Sequence, residues 1–161
     1  MKKTALAAAF ALVFTAAAVV AQDVPNMKEG LWKLHMVTTS TGAKPEESSY
    51  SLCRNHAYDL KAHDLMKKTG CTVNEGSTIG GKRTFSGVCK VGSTTISSKS
   101  TLTSSGDTSF HSETTTTYSP AMNGMSQSTS TQDQTYIGSC PAGMNPGDII
   151  SSNGQVRHRS Q

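Results

Sequence analysis

The stretch Leu31-Trp32-Lys33-Leu34-His35-Met36-Val37-Thr38-Thr39-Ser40-Thr41 alternates from residue to residue, and a period of two is the mark of a half-buried β-strand. Trp32, Leu34 and Met36 fall on one face of it. Residues 25–30 lead into this strand as a turn, and residues 42–47 lead out of it as a polar one. Residues 48–54 then alternate again, with Tyr50 and Leu52 on one side, so the two segments read as a β-hairpin.

Further along, the period changes. Tyr58, Ala62, Leu65 and Met66 share one helical face within residues 55–68. Asn55 suits the N-cap, and Lys67, Lys68 and Gly70 suit the end. Strand pattern resumes over residues 71–79, turns at Gly80-Gly81, and continues over residues 84–89 as a second hairpin. Between Ser93 and Thr135, 24 of 43 residues are Ser or Thr, but Thr is comfortable in strands. Ile96 and Leu102 share one face, Phe110 and Tyr118 another, and residues 104–107 form the turn between them. A last strand is expected over residues 125–137. The fold class expected is therefore all-β, an antiparallel meander of about seven strands forming a strongly curved sheet or open barrel, with one short helix between strands 2 and 3. Residues 141–161, rich in Gly, Ser and Asn, read as a flexible tail.

Residues 1–21 carry Lys2 and Lys3, an apolar stretch and a small-residue end, which is the pattern of a cleaved secretory signal. The expected organisation is a signal peptide at 1–21, a disulfide-stabilised β domain at 22–140 and the tail at 141–161. No Cys follows the cleavage point to mark a lipoprotein, and no later segment could span a bilayer, so a soluble periplasmic protein is expected. The exported part has 13 Lys or Arg against 11 Asp or Glu and only 19 Leu, Ile, Val or Phe. Its core is thin without being self-repelling.

Cys53, Cys71, Cys89 and Cys140 lie in the exported part with no C-x-x-C spacing, which points to two structural disulfides. A meander leaves two pairings open: Cys53–Cys71 with Cys89–Cys140, which is preferred, or Cys71–Cys89 with Cys53–Cys140.

The run Pro25-Asn26-Met27-Lys28-Glu29-Gly30-Leu31-Trp32, then Tyr50-Ser51-Leu52-Cys53, Cys71, Cys89 and finally Tyr136-Ile137-Gly138-Ser139-Cys140, resembles the secreted bacterial proteins grouped as domain of unknown function 3617 (DUF3617). The resemblance covers about residues 24–140. Glu29 stands where that family usually has Pro, and Lys33 where an acidic residue is common. The resemblance implies an exported, disulfide-bearing domain with no established activity, and therefore no catalytic residues to carry over.

For chemistry, Ser is abundant but no G-x-S-x-G elbow occurs, no two acids are placed together by spacing, and no basic stripe interleaves with aromatics. Neither an enzyme nor a nucleic-acid binder is expected, and no cofactor. Metal binding by copper or zinc rests on His35 beside Met36, Asp59 with His63 at i and i+4, and Met122 with Met125. A ligand-binding sheet could use Trp32, Leu34, Met36, Phe85, Phe110 and Tyr118, which equally suit a core. Ser98 and Ser100 on the Ile96 face, and Ser112, Thr114 and Thr116 on the Phe110 face, favour a polar ligand over an oily one. The other role is an interaction module whose partner, an envelope protein, adds to Ser/Thr-rich edge strands guarded by little more than Lys99 and Glu113. The function expected is thus a non-enzymatic exported protein that binds a small ligand or associates with the envelope.

Overall fold

The computed structural model describes residues 27–68 and 70–158. The expected signal peptide lies outside the described residues. Chain order is β1 (Gly30–Ser40), β2 (Glu46–Arg54), α1 (His56–Lys68), β3 (Thr72–Ile79), β4 (Lys82–Val91), β5 (Thr94–Ser105), β6 (Ser109–Met122), β7 (Met125–Gly138), β8 (Ile149–Ser151) and β9 (Val156–Arg157). All strands join one antiparallel sheet, which is open, in the order β3-β4-β5-β6-β7-β1-β2-β8-β9.

The seven expected strands are present with the helix between the second and third, but the sheet is not a simple meander. β7 returns to pair with β1 along its length, from Leu31 opposite Gly138 to Ser40 opposite Ser128. This places β3 at one edge and moves the β1–β2 hairpin toward the other. The return also corrects the preferred disulfide pairing. Because Leu31 lies opposite both Cys53 and Gly138, Cys140 arrives beside the end of β2. The bonds are Cys53–Cys140, with Cα atoms 5.6 Å apart, and Cys71–Cys89, with Cα atoms 4.2 Å apart.

The close approach of β1 and β7 depends on glycine. A Cβ built on Gly30, whose φ is +141°, would collide with the Gly138 carbonyl oxygen and stand 2.8 Å from the Tyr136 ring. Just beyond this point sits the core: Met27, Trp32, Leu34, Leu52 and Phe110, with Tyr50, Tyr58, Leu102, Tyr136 and Ile149 packed around it. Trp32 is fully buried. Its Nε1–H donates to the Lys28 carbonyl at 2.8 Å, and its ring meets Phe110 at 5.5 Å and Tyr136 edge-on at 6.0 Å, geometries that aromatic quadrupoles favour.

Helix α1 is anchored by its first turn. The Tyr58 N–H donates to the Asn55 side chain at 2.8 Å, as the cap reading required. Asp59 is buried and accepts from Arg54 Nε and Nη2 at 3.0 and 2.8 Å. Leu65, which shares the apolar helical face with Tyr58, is 53% exposed, as is Leu60; among the described side chains of the helix, Tyr58 packs against the core and Asp59 is buried, both in the first turn.

The stretch after Cys140, expected to be a flexible tail, adds β8 beside β2 and β9 beside β8. It is held by backbone bonds from Cys53 N–H to the Asp148 carbonyl and from Gly147 N–H to the Cys53 carbonyl. The Asp148 side chain, 2% exposed, accepts from the Asn145 backbone N–H at 2.8 Å and lies 2.8 Å from His158 Nδ1. No helix among the described residues is long and apolar enough to cross a membrane.

Candidate ligand-binding face

Strand alternation divides the sheet into two faces. On β6 and β7 the even-numbered side chains are buried or half-buried over most of their length, and the odd-numbered ones between them are mostly exposed. The even-numbered side chains of the Ser/Thr-rich rows share a face with the core residues Trp32, Leu34 and Phe110, and this core-bearing face is taken as the concave one.

Cross-strand register orders this face into rows. Nearest the core, Trp32 lies between Leu52 and Tyr136. One row on, Phe110, Gln134 and Leu34 are in register, and after them Leu102, Ser112, Gln132 and Met36. The next row is Phe85, Ser100, Thr114, Ser130 and Thr38, and the last is Gly87, Ser98, Thr116, Ser128 and Ser40. The face therefore grades from an apolar floor to a field of hydroxyls. From β5 through β1 its rows carry no charged side chain.

The hydroxyls are organised among themselves. Ser100 Oγ and Thr114 Oγ1 are 2.9 Å apart, Thr38 Oγ1 donates to Ser130 Oγ at 3.4 Å, and Tyr118 Oη lies 3.4 Å from Ser128 Oγ. Closer to the core, Gln134 Nε2 donates to Gln132 Oε1 and receives Arg54 Nη1 at its own Oε1, 2.6 Å away. A hydroxyl both donates and accepts, so such rows can exchange internal bonds for bonds to a polar guest at little cost. At the turn end of the sheet, a half-open pocket of about 210 Å³ is floored by Leu102 and Phe110 and walled by Thr78, Ser104 and Arg83. The Arg83 guanidinium is paired with Glu75 and lies 5.2 Å above the Phe85 ring.

The six aromatic and aliphatic side chains expected to form a core or ligand face divide in two. Trp32, Leu34 and Phe110 are 0, 3 and 4% exposed and belong to the core. Met36, Phe85 and Tyr118 are half-buried on the concave face. Gln132 and Gln134, with Ser128 and Ser130 on β7 and Thr38 and Ser40 on β1, are members of the face that sequence reading missed; only their i, i+2 spacing points to them, and only with the register known.

The expected metal pairings fare differently. His35 and Met36 point to opposite faces as strand neighbours must, and Asp59 is taken by Arg54. The side chain of His63 lies outside the described residues. Met122 and Met125 do face each other across the β6–β7 turn. Among the described residues no group of three or more His, Cys, Asp and Glu is arranged to hold a metal ion. The Ser/Thr-rich strands also offer no free edge, since β5, β6 and β7 each have a neighbour on both sides. The edges of the sheet are β3 and the two-residue β9.

On the opposite face His111 sits between two carboxylates, Asp133 and Glu113. Its hydrogen bond to Asp133 raises its pKa above 6.5, partial burial opposes this, and Glu113 adds to the rise.

Residues 27–140 match the family model described as protein of unknown function (DUF3617), and the chain belongs to that family. No curated protein and no solved structure matches it.

Proposed function

From this family membership, which brings no activity with it, we propose that the protein is an exported, non-catalytic binding domain of the bacterial periplasm that receives a small, polar, uncharged ligand on its concave face. One observation carries the reading: the half-buried, uncharged rows of Ser, Thr and Gln between β5 and β1. A face that served only as a packing surface would be apolar, and one that served only solvent would not curve its hydroxyls inward. Donors and acceptors without net charge match a polyhydroxyl or amide-bearing guest, with Phe85 and Tyr118 offering apolar contact at the margin. Two disulfides fit the oxidising compartment.

Native mass spectrometry of the protein taken from its own periplasm, before and after denaturation, tests this. A bound mass lost on denaturation supports the reading and reports the ligand class. Bare protein at the expected mass rejects it.

The reading of the chain as an interaction module keeps one specific support, transferred from the Ser/Thr-rich strands to β3. This edge strand of eight residues carries no Lys or Arg to guard it. A partner strand adding there would protect the β3 amides from exchange in the complex.

A further inference from the structure

The convex face brings together three side chains whose chemistry the concave reading does not use. His111 and Glu113 are two apart on β6 and so share a face, and Asp133 is the register partner of His111 on β7. His111 Nδ1 lies 2.7 Å from Asp133 Oδ1, and Nε2 lies 3.7 Å from Glu113 Oε1. A carboxylate at Nδ1 holds the proton on that nitrogen in the neutral ring and leaves the Nε2 lone pair on the Glu113 side. This is the arrangement in which a second carboxylate orients a metal-binding imidazole.

The second distance fits as well. With metal–nitrogen and metal–oxygen bonds of about 2.1 Å at a tetrahedral angle, two donors to one ion stand about 3.4 Å apart. Glu113 needs to move only a few tenths of an ångström to share an ion with Nε2. Both carboxylates are well exposed, at 61 and 64% for the Asp133 and Glu113 side chains, so nothing blocks entry. His35 lies opposite Asp133 on β1, but its Nδ1 is 3.0 Å from Ser49 Oγ and 3.7 Å from Glu47 Oε1, which makes it part of a separate pair.

We propose that His111 Nε2 and Glu113 form an open surface site for a borderline divalent cation of the zinc type, with Asp133 as the positioning residue and water filling the remaining coordination positions. Imidazole with carboxylate suits Zn(II), and Cu(II) binds such a set more tightly. With only two protein ligands the site exchanges its ion readily instead of contributing to folding.

The test is titration of the disulfide-intact protein with Zn(II), followed by calorimetry and by nitrogen NMR of the histidine rings. One saturable site is expected, with His111 Nε2 shifting most. His111→Ala and Glu113→Gln each weaken binding by about tenfold or more. Asp133→Asn weakens it by about 10- to 100-fold and moves the His111 ring away from the Nδ1–H tautomer, a signature that a merely structural role would not produce. His35→Ala leaves the affinity unchanged. Absence of saturable binding, unchanged affinity in either ligand variant or in Asp133→Asn, or loss of the site in His35→Ala overturns the proposal.

Discussion

Gly30 and Gly138 lie against each other across β1 and β7, with no room for a side chain on Gly30 between the strands. The opening and closing segments of the chain's family pattern are thus joined in space, and the junction sets the whole sheet order. Gly30→Ala adds a clash to a backbone conformation that L-residues avoid, which costs about 1 to 3 kcal/mol from the conformation alone. Urea unfolding of this variant should show a lower midpoint. Gly42→Ala, at a positive-φ turn position with open space around it, should suffer only the smaller conformational penalty.

The two disulfides close loops of very different length. Cys53–Cys140 spans 87 residues and Cys71–Cys89 spans 18. Loop-closure entropy assigns them roughly 4.5 and roughly 3 kcal/mol. Replacing both Cys53 and Cys140 by Ala should therefore lower the melting temperature more than replacing Cys71 and Cys89. Peptide mapping without reduction should recover only these two linkages.

Arg54 and Asp59 form a pair whose side chains are 14 and 5% exposed. Arg54 also donates to Gln134 and lies over the Trp32 ring at 5.8 Å. Arg54→Met leaves a buried carboxylate without its cation, which typically costs about 3 to 5 kcal/mol. Adding Asp59→Asn should recover part of that loss in chemical denaturation.

The raised pKa of His111 makes a small stability term depend on pH. The folded protein holds the His111 proton more tightly than the unfolded chain does, so the protonated ring stabilises the fold fully below the ordinary value of about 6.5. That contribution fades as pH rises through the higher folded-state value. Asp133→Asn, which removes the main cause of the rise, should bring the His111 titration, followed by NMR, back toward 6.5.

Local periodicity makes much of this fold legible in the amino-acid sequence. The alternation around Trp32, the cap at Asn55 and the turn at Gly80-Gly81 each depend on near neighbours, and each lies where the pattern places it; the turn expected at 104–107 falls at 106–108 instead, because Ser104 and Ser105 pair with Phe110 and Ser109 as the end of β5. The hydroxyl-bearing faces on either side of Ile96 and Phe110 are readable for the same reason. What pairs with the free edge of β1 is not, because Ser- and Thr-rich strands accept many registers and nothing local to residues 125–138 names residues 30–40 as their partner. The disulfide pairing fails with it, since Cys140 reaches Cys53 only through that return. Asp148 is hidden differently: an acid among Gly, Asn and Pro looks like a solvated turn, and its burial depends on backbone donors and on His158.

The concave face as a polar binding surface is tested most directly by native mass spectrometry of the protein purified from its own cells beside a variant carrying Ser100→Ala, Thr114→Val and Thr38→Val. These substitutions remove hydroxyls from one row, and the two Thr→Val changes keep β-branched side chains in the strands. The expected result is a ligand mass on the native protein that denaturation releases, and its loss or marked reduction on a variant of native fold. Bare native protein, or a ligand retained equally by both, would contradict the concave face as the binding site.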